Sequence, residues 1–272
     1  MADNSGAGFY LTLLSNASMS LCESNTQSEF KNILPEPLDL KDHEVALAEF
    51  SYTETWSNIK EDFIGLIIQR RDINTKVEYQ DSITLEKGYY ANNRIFFRYV
   101  NEKLKPLKDK YGFDSNTLEY KQIPQKVTIH LPPGVQMAMT SEMSDICGFE
   151  KKLLGGFNYF KNETSDTKHF EAEFAADVHL GLYTFYVYCD LVSPQIVGDA
   201  RVPLLRTVPV KIRTGVEQVT KVFENPHYLP LAKNYVNSIQ VYIRDDTGQP
   251  ISFQRGKTIV KLHIRPRGSA YL

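Results

Sequence analysis

Ser238-Ile-Gln-Val-Tyr-Ile-Arg244, then Asp245-Asp-Thr-Gly-Gln-Pro250, then Lys257-Thr-Ile-Val-Lys-Leu-His-Ile-Arg265 decides the fold class. In the first run Ile239, Val241 and Ile243 alternate with Gln240 and Tyr242. In the second, Thr258, Val260, Leu262 and Ile264 point one way, and Lys257, Ile259, Lys261, His263 and Arg265 point the other. A period of two is that of a strand with one buried face. The Asp-Asp-Thr-Gly segment has the composition of a tight turn. It predicts a hairpin joining these two strands.

The same alternation recurs at 9–14, 45–52, 76–79, 126–131, 169–174 and 207–213. The runs 63–68 and 182–192 are apolar on both faces, as expected of central strands or of strands with one face in an interface. Helix is scarce. Residues 92–104 carry Ile95, Phe96, Tyr99, Val100 and Leu104 at helical spacing, with Asn92 or Asn93 to cap the start and Pro106 beyond the end. A short helical turn is expected over 141–148. Some ten strands with one or two helices fit an all-β chain, a single antiparallel jelly roll carrying inserted loops. We expect one jelly-roll domain over 1–272 with an insertion around 90–165.

Of 272 residues, 42% are hydrophobic and 12% aromatic, enough for a sizeable core, with sixteen Tyr and fifteen Phe against one Trp favouring sheet packing. The net charge of −2 marks the whole chain for neither nucleic acid nor membrane. Its distribution is uneven: residues 1–62 hold eleven acidic and three basic side chains, and from 251 onward there are five basic residues and no acidic one. Opposite patches of this kind suit a head-to-tail contact, or are simply two solvated faces. Three cysteines, Cys22, Cys147 and Cys189, are too few for a disulfide framework and have no zinc spacing, so free thiols are expected. The start of the sequence lacks the basic and apolar regions of a secretion signal.

Candidate chemistry is thin. His169-Phe-Glu171 has the spacing of two ligands of a facial iron triad, with His179, His227 or His263 as a conceivable third. Ordinary solvated strand polars explain the pair far better, because an H-x-E spacing arises often by chance among six His and thirty-three acids. Gly256-Lys-Thr258 resembles the end of a phosphate loop but lacks the earlier glycine and the following helix. Leu154-Gly-Gly-Phe157 reads as a flexible turn rather than a phosphate nest. No catalytic set, cofactor site or metal site is expected. The basic face of Lys257, Lys261, His263 and Arg265 suits an acidic neighbour or nucleic acid, or a charge-protected edge strand.

Three blocks carry a resemblance. They are Phe9-Tyr-Leu-Thr-Leu-Leu-Ser-Asn-Ala-Ser-Met19 with Asn25-Thr-Gln-Ser-Glu-Phe30, Leu34-Pro-Glu-Pro-Leu38 and Glu44-Val-Ala-Leu-Ala-Glu-Phe50; Val187-Tyr-Cys-Asp-Leu-Val-Ser-Pro-Gln-Ile-Val-Gly-Asp199 with Val202-Pro-Leu-Leu-Arg-Thr-Val-Pro209; and Asn225-Pro-His-Tyr-Leu-Pro-Leu231 with Ile239-Gln-Val-Tyr-Ile-Arg-Asp-Asp-Thr-Gly-Gln-Pro-Ile-Ser-Phe253 and Gly256-Lys-Thr-Ile-Val-Lys-Leu-His263. In order and combined length they resemble the minor capsid, or penton, protein of Polinton (Maverick) elements and the related adintoviruses. The resemblance implies a single jelly roll, a homopentamer at capsid vertices, and a double-jelly-roll major capsid protein as partner, with a place in the virion and no enzymatic activity. On that reading Tyr186, Tyr188, Lys257, Lys261 and Arg265 are the expected interface residues. The rivals are a sugar- or receptor-binding jelly roll and a cupin-like metal-dependent oxygenase.

Overall fold

The computed structural model describes residues 8–71, 78–150, 152–155, 167–210 and 218–268. Parts of the expected strands 76–79 and 207–213, and Gly156 and Phe157 of the glycine turn, lie outside these. Contacts divide the chain into two compact units, one of 1–56 with 182–272, the other of 57–181. The segment 90–165, expected as an insertion, falls inside the second.

The first unit holds strands β1 (Phe9–Leu14), β2 (Glu29–Asp39) and β3 (His43–Thr53). The second follows with β4 (Phe63–Arg71), β5 (Glu78–Leu85), helix α1 (Asn93–Leu104), a 3-10 turn (Lys105–Leu107), the single turn α2 (Lys108–Tyr111), β6 (Leu118–Lys121), β7 (Lys126–Leu131), β8 (Val135–Met139), α3 (Ser141–Cys147), β9 (Leu153–Gly155) and β10 (Lys168–Glu171). The chain then returns to the first unit with β11 (Thr184–Cys189), β12 (Gln195–Val197), β13 (Ala200–Val202), β14 (Leu204–Pro209), β15 (Gln218–Val222), β16 (Leu229–Pro230), β17 (Tyr235–Arg244) and β18 (Ile259–Pro266). Many of these strands are short, which is why the sequence, reading only the longer alternations, yields about ten.

Two four-stranded antiparallel ladders build the first unit. One runs β1-β18-β3-β15, with β16 also on β3, and the other β14-β11-β17-β2. Taken in chain order, the eight main strands pass from sheet to sheet at every step except β11 to β14. This winding of eight strands into two Greek keys is a jelly roll. The inner faces are the alternating residues: Val45, Leu47, Phe50, Val260, Leu262 and Ile264 from one sheet, and Phe30, Phe185, Val187, Ile239, Val241 and Ile243 from the other, all at 1% exposure or less. Phe185 joins the layers, edge-on to Tyr52 at 5.1 Å, Trp56 at 5.4 Å and Phe50 at 6.4 Å. Aromatic pairs in this geometry add about 0.5–1.5 kcal/mol each beyond their burial.

The hairpin expected between the last two strands does not form. The Asp245 turn is there: its carboxylate accepts from the N–H groups of Thr247 (3.0 Å) and Gln249 (2.8 Å). But β17 pairs with β2 and β11, whereas β18 pairs with β1 and β3. The turn folds the end of β17 back on itself through Pro250, and the chain then crosses to the opposite sheet. Likewise β18 is a central strand and not the charge-protected edge entertained above.

The second unit packs a sheet β5-β4-β8-β9 and a sheet β10-β7-β6 with the helices around their own core. Helix α1 begins where expected: the Asn92 side chain accepts from the Ile95 N–H at 3.0 Å. Its buried face is Phe96, Phe97, Val100 and Leu104. Phe97 lies inward, stacked on Tyr120 at 5.6 Å, while Ile95 is 37% exposed, so the face is turned from the predicted one. Helix α3 starts at the Thr140 cap and ends at Gly148, whose φ of 79° and close approach to the Phe174 carbonyl admit no side chain.

Candidate functional site

The candidate interface residues fall on the outer faces of the jelly roll and in two separate places. Tyr186 and Tyr188 are the outward residues of β11, because Phe185, Val187 and Cys189 take the core face of the same strand. The strand is thus not apolar on both sides in the sense expected; the tyrosines are half-buried amphipathic cover. Across the ladder Tyr186 stands opposite Arg244, and Tyr188 opposite Tyr242. Arg244 lies 5.5 Å over the Tyr242 ring and bridges to Glu29 at 2.9 Å and to the Gly248 carbonyl at 2.7 Å. Burial first, then neighbouring Tyr186, raises the Tyr188 phenol above its ordinary range. Burial, then Glu29 and Asp190, do the same for Tyr242. Both remain neutral hydroxyls at physiological pH, able to donate and to accept.

The basic residues belong to the other sheet. Arg265 is held on Glu44 at 2.7 Å with its guanidinium 3.4 Å over the Tyr228 ring. Lys261 stands 3.7 Å from Glu49 and 5.3 Å over Tyr10. The acids come from β3, the ladder neighbour of β18, which is a register no reading of one strand could supply. His263 between them hydrogen-bonds Tyr228 at 2.6 Å, and burial, with Arg265 beside it, lowers its pKa. The apparent positive stripe is therefore largely neutralised by cross-strand pairs. Lys257, in the loop before β18, is exposed.

The ligand pair His169 and Glu171 sits on β10 of the second unit. His169 Nδ1 lies 2.6 Å from His130 Nδ1, and His130 Nε2 lies 3.3 Å from Glu119. Glu171 bridges to Lys121 at 3.4 Å. Of the conceivable third ligands, His227 and His263 belong to the other unit, and His179 packs on Asn58 at 3.4 Å. Among the described residues no group of three or more His, Cys, Asp or Glu is arranged to hold a metal ion. His130 escapes the sequence reading because its closeness to His169 comes from pairing across 39 residues.

The thiols are all free. Cys147 and Cys189 are buried; burial pushes the Cys189 thiol up to about 12 and Cys147 further still, so neither is a nucleophile. Cys22 is half-buried.

No protein-family model matches the chain, and no curated protein matches it significantly. Among solved structures, the crystal structure of the mavirus penton protein is similar, with 13% sequence identity and a TM-score of 0.50. The match covers 95% of this chain and 99% of that one. It shows a shared fold across both units, and it falls on a penton protein, the class that the three sequence blocks resemble.

Proposed function

We propose that the chain is a structural penton protein: a minor capsid subunit that assembles as a homopentamer at the fivefold vertices of a Polinton-type shell and meets a double-jelly-roll major capsid protein at its rim. The observation that carries this reading is the mutual coverage, 95% of this chain against 99% of the mavirus penton protein, so that the second unit is matched along with the jelly roll. The resemblance of the three sequence blocks supports it independently. The work is assembly and not catalysis, and its place is the capsid.

The test is co-expression with the major capsid protein of the same element, followed by purification of particles and imaging of their vertices. The protein is expected in the particles, as a fivefold ring. Particles that form and close without it, or a stable twofold or threefold oligomer of the free protein, would refute the reading.

A further inference from the structure

One edge of the jelly roll is a groove and the opposite edge carries a knob. Strands β14 and β15 are the end strands of the two sheets on one side. Between them opens a groove of about 460 Å³, floored by Leu204, Leu205, Phe223 and Leu229, with no acidic residue among the described residues of its lining. Arg206 reaches into it. Its guanidinium lies over the Phe223 ring at 4.0 Å and donates a hydrogen bond to the Asn225 carbonyl at 3.2 Å. Lys221 flanks the same ring at 5.9 Å.

Arg206 differs from the half-buried strand cations Arg244, Arg265 and Lys261. Each of those has a carboxylate, from Glu29, Glu44 and Glu49 in turn, as does the exposed Lys233, from Asp190. Arg206 has none among the described residues, and burial lowers its pKa with no opposing charge. A partly desolvated guanidinium with open donors beside an apolar floor is complementary to a carboxylate carried on an apolar segment.

The knob is on β2, the end strand of the second sheet on the far side. In its ladder with β17, Ile33 pairs with Ser238 and Leu38 with Val236. Leu34-Pro-Glu-Pro37 therefore stands opposite Asn237 alone and bulges out. Pro35 and Pro37 have no N–H to give the ladder. Glu36 between them is exposed, as are both prolines, and no described residue pairs with it.

We propose that the groove between β14 and β15 receives the Leu34–Pro37 bulge of a second copy, with Glu36 on Arg206. The partner is this chain itself, because the acid and the base sit on opposite edges of one sandwich. A contact between opposite edges is heterologous and propagates in one direction until the ring closes. The inference rests on the penton reading and names the contact that closes its ring.

The experiment compares the full chain with Glu36→Arg, Arg206→Glu, and the double reversal. Association is read by native mass spectrometry and sedimentation over a range of concentration at about 0.15 M salt, where only close pairs escape screening. It is read again as the amount incorporated into co-expressed particles. Circular dichroism establishes folding, and Arg206→Gln supplies a neutral side chain of similar reach. Each reversal is expected to weaken association roughly tenfold or more, and the double reversal to recover most of it. If the wild type forms rings and the single reversals assemble like it, or if the double reversal fails to rescue, this contact is wrong and the penton reading stands. If the wild type neither associates nor enters particles, the penton reading falls and takes this inference with it.

Discussion

Leu262→Asp tests the jelly-roll register most sharply. Leu262 is wholly buried on β18, in the middle of its sheet between Leu11 of β1 and Leu47 of β3. Removing it forfeits the burial of a leucine, about 1.5–3 kcal/mol. The aspartate that replaces it must stay neutral in that site at pH 7, which costs about 4 kcal/mol for a shift of roughly three pKa units. The combined loss of about 6 kcal/mol equals the whole stability of many domains, which lies at about 5–15 kcal/mol. The neighbouring Lys261→Glu turns a half-exposed pair with Glu49 into a like-charge pair and should cost less than about 1 kcal/mol. The assay is soluble yield and urea unfolding followed by Trp56 fluorescence. The pH dependence has a definite sign. A buried carboxyl has a raised folded pKa, so its penalty is absent below the unfolded value near 3.9 and grows as pH rises through it. The deficit of Leu262→Asp relative to wild type should thus shrink on acidification. A soluble Leu262→Asp protein with a wild-type urea midpoint, or a Lys261→Glu protein that fails to fold, would put the wrong face of β18 in the core.

Other outcomes are equally direct. Trp56, 1% exposed among Tyr52, Phe185 and Phe253, should emit at short wavelength in the native protein and shift red on unfolding of the jelly-roll unit, and Phe185→Ala should lower that unit's stability by about 3–5 kcal/mol. Thiol titration of the unreduced protein should find Cys22 reactive in the native state and Cys147 and Cys189 only after denaturation; a total below three would reveal a disulfide. Hydrogen bonds from Lys110 and Tyr111 hold the Asp81 carboxyl below its ordinary pKa, so its contribution is present above about pH 3.9 and lost as pH falls through the depressed folded value. Asp81→Asn should therefore cost on the order of 1 kcal/mol near neutral pH and little in acid, measured by urea unfolding at several pH values.

Alternation in the sequence reports which face a residue takes and says nothing of which strand lies beside it. Val260, Leu262 and Ile264 were therefore legible as core, while the partner of β18 was not: a tight turn at Asp245 suggested β17, and the chain crosses sheets instead. Pairings such as Arg265 with Glu44 or His130 with His169 depend on ladders between segments far apart in sequence, and so did the neutralisation of the basic stripe. The limits of the second unit leave no mark in composition, because its core uses the same aliphatic and aromatic residues as the jelly roll. In α1 the cap at Asn92 was legible from its chemistry. The choice of Phe97 over Ile95 for the interior turns on packing against Tyr120, which lies beyond the helix. The groove at Arg206 has no signature in the sequence beyond an arginine within an apolar strand.

The strand order also sets a timetable for synthesis. The second unit is one unbroken stretch of chain, 57–181, with its own core, and can close while the rest is still on the ribosome. The jelly roll cannot. Its strand β18 is the last to emerge and belongs in the interior of its sheet, between β1 and β3. Until it arrives, both of those strands present open hydrogen-bonding edges to every neighbouring nascent chain. Ladders that join residues as distant as Phe9 and Ile264 are slow to form. A truncated translation product would thus leave a finished second unit tethered to a sticky, half-built sandwich, so a chaperone's protection matters most in the interval before the final strand is delivered.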